Sequence, residues 1–346
     1  LWSVRQARLK APEGHPVAYY HCISRVVNRE FVFGDLELEQ FVQLMREYEA
    51  FCGVRILTYC ILSNHFYILV EVPARPTELP GSEELLKKLE LLSGTAMSAA
   101  TARQRMEMFR QARDVAGEKA FWERICASMW DVSAFMKLLK QRFTQWFNRH
   151  RGRKGTLWEE RFKSVLVEGA DEALATMAAY IDLNPVRAGI VEDPRDYRWC
   201  GYAEALSGSR RAQRGLRAII AGGERVAEAK NKLHEAMAKY RVCLFGQGEE
   251  REGATAEGQP LRKGFKREEV LAVVSARGRL ALPEYLRLKV RYFADGAVLG
   301  TRGFADDVFT ALRGRFSSKR KDGARRMRCL ESDLYTVRDL QVRAVG

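Results

Sequence analysis

The sequence predicts an α+β protein built on a ferredoxin-like antiparallel sheet, interrupted by a helical insert and followed by a mainly helical C-terminal region. Three observations predict it. With a charged helical stretch at about 78–130 set aside, residues 16–190 run strand, helix, strand, strand, helix, strand, helix, which is the βαββαβ order with one added helix. The two middle strands are separated only by Ser63-Asn64, a hairpin signal. Beyond Tyr202 the pattern turns basic and helix-like. The chain therefore divides into a core, residues 1–205, and a basic accessory region, residues 206–346, with a Gly- and Glu-rich linker at about 246–264.

Each element has a local reason. Residues 18–27, Ala-Tyr-Tyr-His-Cys-Ile-Ser-Arg-Val-Val, are rich in β-branched and aromatic residues and read as a strand. Asp35 is placed to cap a helix whose stripe of Leu38, Phe41, Val42, Leu44 and Met45 reaches about Cys52, where Gly53 ends it. Val54–Leu62 and His65–Val72 are apolar strands, the second stopped by Pro73 and Pro76. Asp131-Val132-Ser133 opens a helix carrying Phe135, Leu139, Phe143 and Phe147 on one face. A basic turn, Asn148 to Gly155, leads to a strand over Glu160–Val167. Asp171 caps a last core helix through Leu174, Met177, Tyr180 and Ile181, which stops near Pro185. Residues 208–241 and 266–313 look helical.

Charge narrows the function classes. The 346 residues hold 58 Lys and Arg against 44 Asp and Glu, a formal charge of +14. Such an excess favours a polyanionic partner, nucleic acid or an acidic membrane. No run of about 18 apolar residues is present, and Leu1-Trp2-Ser3-Val4-Arg5 lacks the apolar core of a secretory signal, so no membrane partner is expected. Seven scattered cysteines without a C-x-x-C pair fit reduced thiols and a cytoplasmic, nucleoid-associated protein, and argue against a cysteine-based zinc site. From Val132 to Trp158 there is no acid, while Lys137, Lys140, Arg142, Arg149, Arg151, Arg153 and Lys154 interleave with Phe143, Trp146, Phe147 and Trp158. Cations for phosphates and rings for bases suit single-stranded nucleic acid. Arg25, Arg29, Arg161 and Lys163 add cations at strand ends, and Arg313 to Arg328 forms a second basic cluster.

Two segments carry chemistry-bearing residues. In Ser63-Asn64-His65-Phe66-Tyr67, alternation puts His65 and Tyr67 on one face of a strand and Phe66 on the other. In Tyr180-Ile181-Asp182-Leu183-Asn184-Pro185-Val186-Arg187-Ala188-Gly189, Tyr180 and Asn184 are i and i+4, neighbours on a helix face. A helix laid across that sheet face brings a hydroxyl, an amide oxygen and an imidazole toward one space.

These segments resemble the signatures of the single-tyrosine HUH transposases, in particular the REP-associated tyrosine transposase-like proteins. The resemblance extends to His21-Cys22-Ile23-Ser24-Arg25, to the segment Phe135–Phe143, to Gly155-Thr156-Leu157-Trp158-Glu159-Glu160-Arg161-Phe162-Lys163-Ser164, and to Pro194, Tyr197 and Trp199. It covers about residues 16–205 without the insert. It implies an HUH nuclease core that cuts and rejoins single-stranded DNA at hairpin, palindromic repeat sites through a covalent 5′-phosphotyrosine, acting as a monomer or homodimer. Tyr180 matches the nucleophile. A divalent metal, Mg²⁺ or Mn²⁺, is implied on His65, on Asn184 and on a second histidine. Arg25, Arg29, Arg161 and Lys163, at strand ends beside this site, are candidates for phosphate contacts, as is Arg187 after the tyrosine helix unless it pairs with Asp182 or Glu192.

The sequence departs from the family at one position: Tyr67 stands where the second histidine belongs. A phenol is a far poorer ligand for Mg²⁺ or Mn²⁺ than imidazole. The reading splits in two: a weakened site in a domesticated protein that only binds hairpin or single-stranded DNA, or rescue of the coordination by a carboxylate such as Glu71 or Asp182, with the intact Tyr180 segment keeping cleavage open. Impaired metal binding is expected, because Glu71 lies about 20 Å along the strand from His65 and Asp182 points away from Tyr180. A plain RNA-binding ferredoxin-like domain is a further alternative.

Overall fold

In the computed structural model, the described residues are 9–12, 14–92, 98–191, 193–220, 240, 298–326 and 333–337. They form a mixed α+β architecture around a seven-stranded, mostly antiparallel sheet. The strands are β1 (Val17–Arg25), β2 (Arg55–Leu62), β3 (His65–Pro73), β4 (Lys163–Val167), β5 (Val298–Gly300), β6 (Arg325–Arg326) and β7 (Tyr335–Val337), in the order β2-β3-β1-β4-β5-β7-β6. β1 is central and antiparallel to both β3 and β4, with Arg25 opposite His65 and His21 opposite Leu69 and Val165.

Helices cover both faces. On one face lie α1 (Asp35–Cys52), the insert helices α2 (Ser82–Glu90), α3 (Ala99–Ala112) and α4 (Val115–Cys126), and α5 (Val132–His150). Their stripes close over Phe66, Ile68 and Val70 of β3 in a core that includes Phe41, Leu89, Phe121, Phe143 and Trp158. On the other face lie α6 (Asp171–Asp182), α7 (Asn184–Arg187), α8 (Gly201–Leu206) and α9 (Arg210–Ile220), which close over Tyr67, Leu69 and Leu57. The alternation read from residues 65–72 is what separates these two cores.

Helix starts differ slightly from the sequence reading. The caps of α1 and α6 are Gly34 and Ala170, so Asp35 and Asp171 are first helical residues. The Glu37 carboxylate accepts from the Gly34 N–H at 2.9 Å and so closes the start of α1. α1 ends where Gly53 takes a left-handed φ of 65°, as a helix-terminating glycine does.

The C-terminal region adds strands to the core sheet. A mainly helical region was expected, and its described part contains the helices α9 and α10 (Arg302–Ala311) together with the short strands β5, β6 and β7. β5 pairs parallel to β4, Leu166 opposite Val298, so residues beyond 205 extend the core sheet. The outer edge of β4 would otherwise leave its backbone groups unpaired. The linker expected at 246–264 and most of the helical stretch 266–313 lie outside the described residues.

α9 seats against β2 through Gly215. The β2–β3 register shifts between Ile56 and Thr58, and a Cβ on Gly215 would lie 2.3 Å from the Leu57 carbonyl oxygen and 2.9 Å from that of Ile56. Both obstacles are backbone. Gly215→Ala is therefore expected to destabilise the fold by about 1–3 kcal/mol, measured as a lower denaturant midpoint with unchanged slope. An unchanged midpoint would show that α9 does not seat this closely.

Candidate nucleic-acid interface

The site is built at the β2–β3 turn and beneath α6. Ser63-Asn64 turns the chain from β2 into β3, and this turn is tied to the loop after β1. The Asn64 carbonyl accepts from the Val26 N–H at 2.9 Å, and the Ser63 carbonyl from those of Val32 and Phe33 at 3.0 and 2.9 Å. The Asn64 amide donates to the Arg29 carbonyl at 2.9 Å, which turns its oxygen toward His65 Nδ1 at 2.6 Å. An amide oxygen only accepts, so His65 Nδ1 carries a proton here.

β3 alternation sends His65 and Tyr67 to the α6 face. Their ring centres are 5.1 Å apart, and Tyr67 meets the Tyr180 ring edge-on at 6.0 Å. His21 completes the cluster: it stacks on Tyr67 at 5.6 Å and meets Tyr180 at 5.9 Å, fully buried. In the sequence His21 stands out only as part of the segment His21-Cys22-Ile23-Ser24-Arg25. Its membership of this cluster was readable only from parity with Tyr19 and Ile23, which share its face.

Tyr180 is 4% exposed. Burial pushes its phenol pKa well up, the hydrogen-bonded Tyr67 hydroxyl adds to the shift, and the Arg187 and Arg25 cations oppose it. The Arg187 guanidinium lies over the Tyr180 ring, 4.3 Å from its centre, and donates to the Tyr180 carbonyl. Arg187, expected to contact DNA, is therefore packed on the tyrosine.

Asn184 is buried, and its amide nitrogen donates to the Tyr180 and Ile181 carbonyls, both at 3.1 Å. Pro185 explains this. It has no N–H for the carbonyl four residues back, that of Ile181, and the neighbouring amide fills the gap. Only the Asn184 Oδ1 is left to serve as a ligand.

Neither carboxylate considered for rescue reaches His65. Glu71 lies at the other end of β3, opposite Tyr19 and Arg55, and is ion-paired with Arg55. Asp182 turns to the opposite side of α6 from the ring cluster. It accepts from Thr58 Oγ1 at 2.7 Å, from the Tyr202 N–H at 3.4 Å and from the Tyr240 hydroxyl. Among the described residues no group of three or more His, Cys, Asp or Glu is placed to hold a metal. Two imidazoles, phenols and one amide oxygen do not make the oxygen-rich, carboxylate-bearing set that Mg²⁺ or Mn²⁺ takes, so the residues present do not fit the ion that the resemblance implies.

The cations separate into three groups. Arg25, Arg29, Arg161 and Lys163 come together around a cavity of about 140 Å³, with Ile23, Ser24, Glu159 and Glu160. Lys137, Arg149 and Lys154 are exposed. The others are engaged in the fold. Lys140 donates to the Glu160 carbonyl and lies over Trp158, Arg151 binds the buried Glu37 at 2.7 Å, Arg153 lies over Phe147, and Arg142 is half-buried. Trp158 is a core residue ringed by Phe33, Phe66 and Phe143. In the second cluster, Arg313 and Arg320 build their loop: Arg313 bonds the carbonyls of Ser317, Ser318 and Arg320, and Arg320 lies over Phe309 and Phe316. Residues 327 and 328 of that cluster lie outside the described residues. Among the described residues no helix is long and apolar enough to cross a membrane.

No protein-family model matches the chain, and no curated protein matches it. A solved structure of a REP-associated tyrosine transposase bound to a REP hairpin is similar to it over 60% of this chain and 87% of that one, at a TM-score of 0.36 and 12% identity. A likeness of that size carries no inference by itself.

Asp182 yields a prediction for stability. Burial raises its pKa from 3.8 to about 7, partly offset by its three hydrogen bonds. The folded protein then holds more protons than the unfolded chain between pH 4 and 7, so this group's stabilisation is present at low pH and is lost as pH rises through 7. Asp182→Asn keeps bonding groups without the charge. The difference in unfolding free energy between wild type and the variant is expected to fall with pH by at most about 1.4 kcal/mol per unit across that window. Parallel pH profiles in denaturant titrations would contradict the assignment.

Proposed function

We propose that this is a transposase-like protein that binds hairpin or single-stranded DNA, with the strand-cutting step idle. The observation that carries the binding is the convergence of Arg25, Arg29, Arg161 and Lys163 on one groove at the β1 end that also presents His65. The reading takes the β4-β1-β3-β2 strands with α1, α5 and α6 as a ferredoxin-like HUH core. It agrees with the hairpin partner of the transposase named above. Its work would be on DNA in the cytoplasm, at the nucleoid.

Cutting is the second reading, favoured by Arg187 over the Tyr180 ring and by the Tyr67 hydroxyl bonded to it. In that reaction the Tyr180 oxygen attacks phosphorus and gives up its proton. The P–O bond to the 3′ oxygen breaks, and a 5′-phosphotyrosine and a protonated 3′-hydroxyl result. Three features weigh against it: a 4%-exposed phenol, a pKa raised by burial, and a donor set that does not fit Mg²⁺ or Mn²⁺. No metal-dependent step is part of the proposal.

Two experiments test these readings. Wild type incubated with hairpin oligonucleotides and Mn²⁺ is expected to form no denaturation-stable adduct, while Tyr67→His gains one that Tyr180→Phe removes. An adduct formed by wild type itself would establish the cutting reading. In binding titrations, Arg25→Ala/Arg161→Ala is expected to weaken hairpin binding uniformly across sequences. It should also flatten the log–log salt slope by about 1.5, at roughly 0.7–0.9 per phosphate contact. An unchanged slope would remove the groove from the DNA path.

A further inference from the structure

We propose that the pocket between the β1–α1 loop and the end of α5 receives an unpaired DNA base, with Phe31 as its stacking platform. This rests on the DNA-binding reading above and adds a site to it. Phe31 is 80% exposed. A single exposed apolar side chain needs no explanation by itself. Phe31, however, lines a pocket of about 380 Å³ with Glu30, Val32, Phe147, Arg151 and Arg153. That volume falls in the range of small-molecule clefts, about 300–1,000 Å³.

The loop that presents Phe31 is held in a costly conformation. Asn28 and Arg29 both take left-handed φ, 56° and 58°. A pair of non-glycine residues there persists only when the surroundings enforce it. The enforcing bonds are Val27 N–H to the Leu157 carbonyl, Asn64 amide to the Arg29 carbonyl, and Val32 N–H to the Ser63 carbonyl. The loop therefore has the phosphate groove, with Arg25 and Arg29, on one side and the Phe31 pocket on the other.

Charge assigns the occupant. The pocket's cations are Arg151, paired with Glu37, and Arg153, over Phe147. Glu30 at its rim disfavours a bare phosphate there but can accept from the amino group of a base. Residues 29 and 31 are at most about 7 Å apart along the chain, so neighbouring nucleotides of one strand are close enough to engage both sides of the loop. A strand with phosphates in the groove can thus place a neighbouring base on Phe31, the combination of cation track and aromatic platform that single-strand binders use.

The test uses the full chain and a hairpin oligonucleotide with a single-stranded extension carrying 2-aminopurine. Phe31→Ala is expected to weaken binding about 5- to 150-fold, the range for loss of one base–aromatic stack, and to leave the salt slope unchanged. Wild type and Phe31→Trp are expected to quench the fluorophore, and Phe31→Ala not to. Wild-type affinity and quenching in Phe31→Ala would overturn the base site while leaving DNA binding intact. No binding by wild type to any hairpin or single strand would overturn the functional reading and the base site together.

Discussion

The position of α6 on the sheet depends on one buried carboxylate. Asp182 is fully buried and receives bonds from Thr58 on β2, from the Tyr202 backbone at α8 and from Tyr240. Burial of a carboxylate is costly unless its lone pairs are satisfied, and here three donors converge on it. The remaining cost shows as a pKa raised to about 7. Because Tyr180 precedes Asp182 by two residues, fixing the carboxylate also fixes the phenol on the other side of the helix. The edge-on contacts of Tyr180 with His21 and Tyr67 follow from that placement.

A second lock sits at the opposite end of the cluster. Asn64 bridges the β2–β3 turn to the β1–α1 loop through Val26 and Arg29 and accepts a hydrogen bond from His65 Nδ1 through its oxygen. The groove cations, the imidazole and the Phe31 loop therefore share one backbone frame. Rigid framing lowers the conformational entropy lost on binding, so contacts made by this surface keep more of their interaction energy.

Local order was legible in the sequence, and long-range partnership was not. The alternation of His65, Phe66 and Tyr67 gave the correct faces because strand period is a local property. The i, i+4 spacing of Tyr180 and Asn184 was visible, but Pro185 diverts the Asn184 amide to backbone carbonyls, an effect that depends on where α6 ends. His21 joins the rings through register with β3 and contact with α6, which no short window contains. β5, β6 and β7 are two or three residues long, too short to carry a periodic signal. The exposure of Phe31 is a property of the folded loop, since its composition reads like any core residue.

The same distinction sharpens the meaning of the charge. The acid-free stretch from Val132 to Trp158 suggested a continuous cationic surface. Some of its cations are taken up by the fold, Arg151 by Glu37 of α1 and Lys140 by the Glu160 carbonyl and the Trp158 ring, while Lys137, Arg149 and Lys154 are exposed. Absence of acids in a window is thus not absence of acids in space. The converse also holds, since Arg25, Arg29, Arg161 and Lys163 come from two separated segments and never form a run, yet they meet at one cavity. Field strength in a cleft grows with the number of like charges that face it. Glu159 and Glu160 line the same cavity, and Lys163 is ion-paired with Glu160 at 3.1 Å, so four cations and two carboxylates leave the groove a net excess of two positive charges.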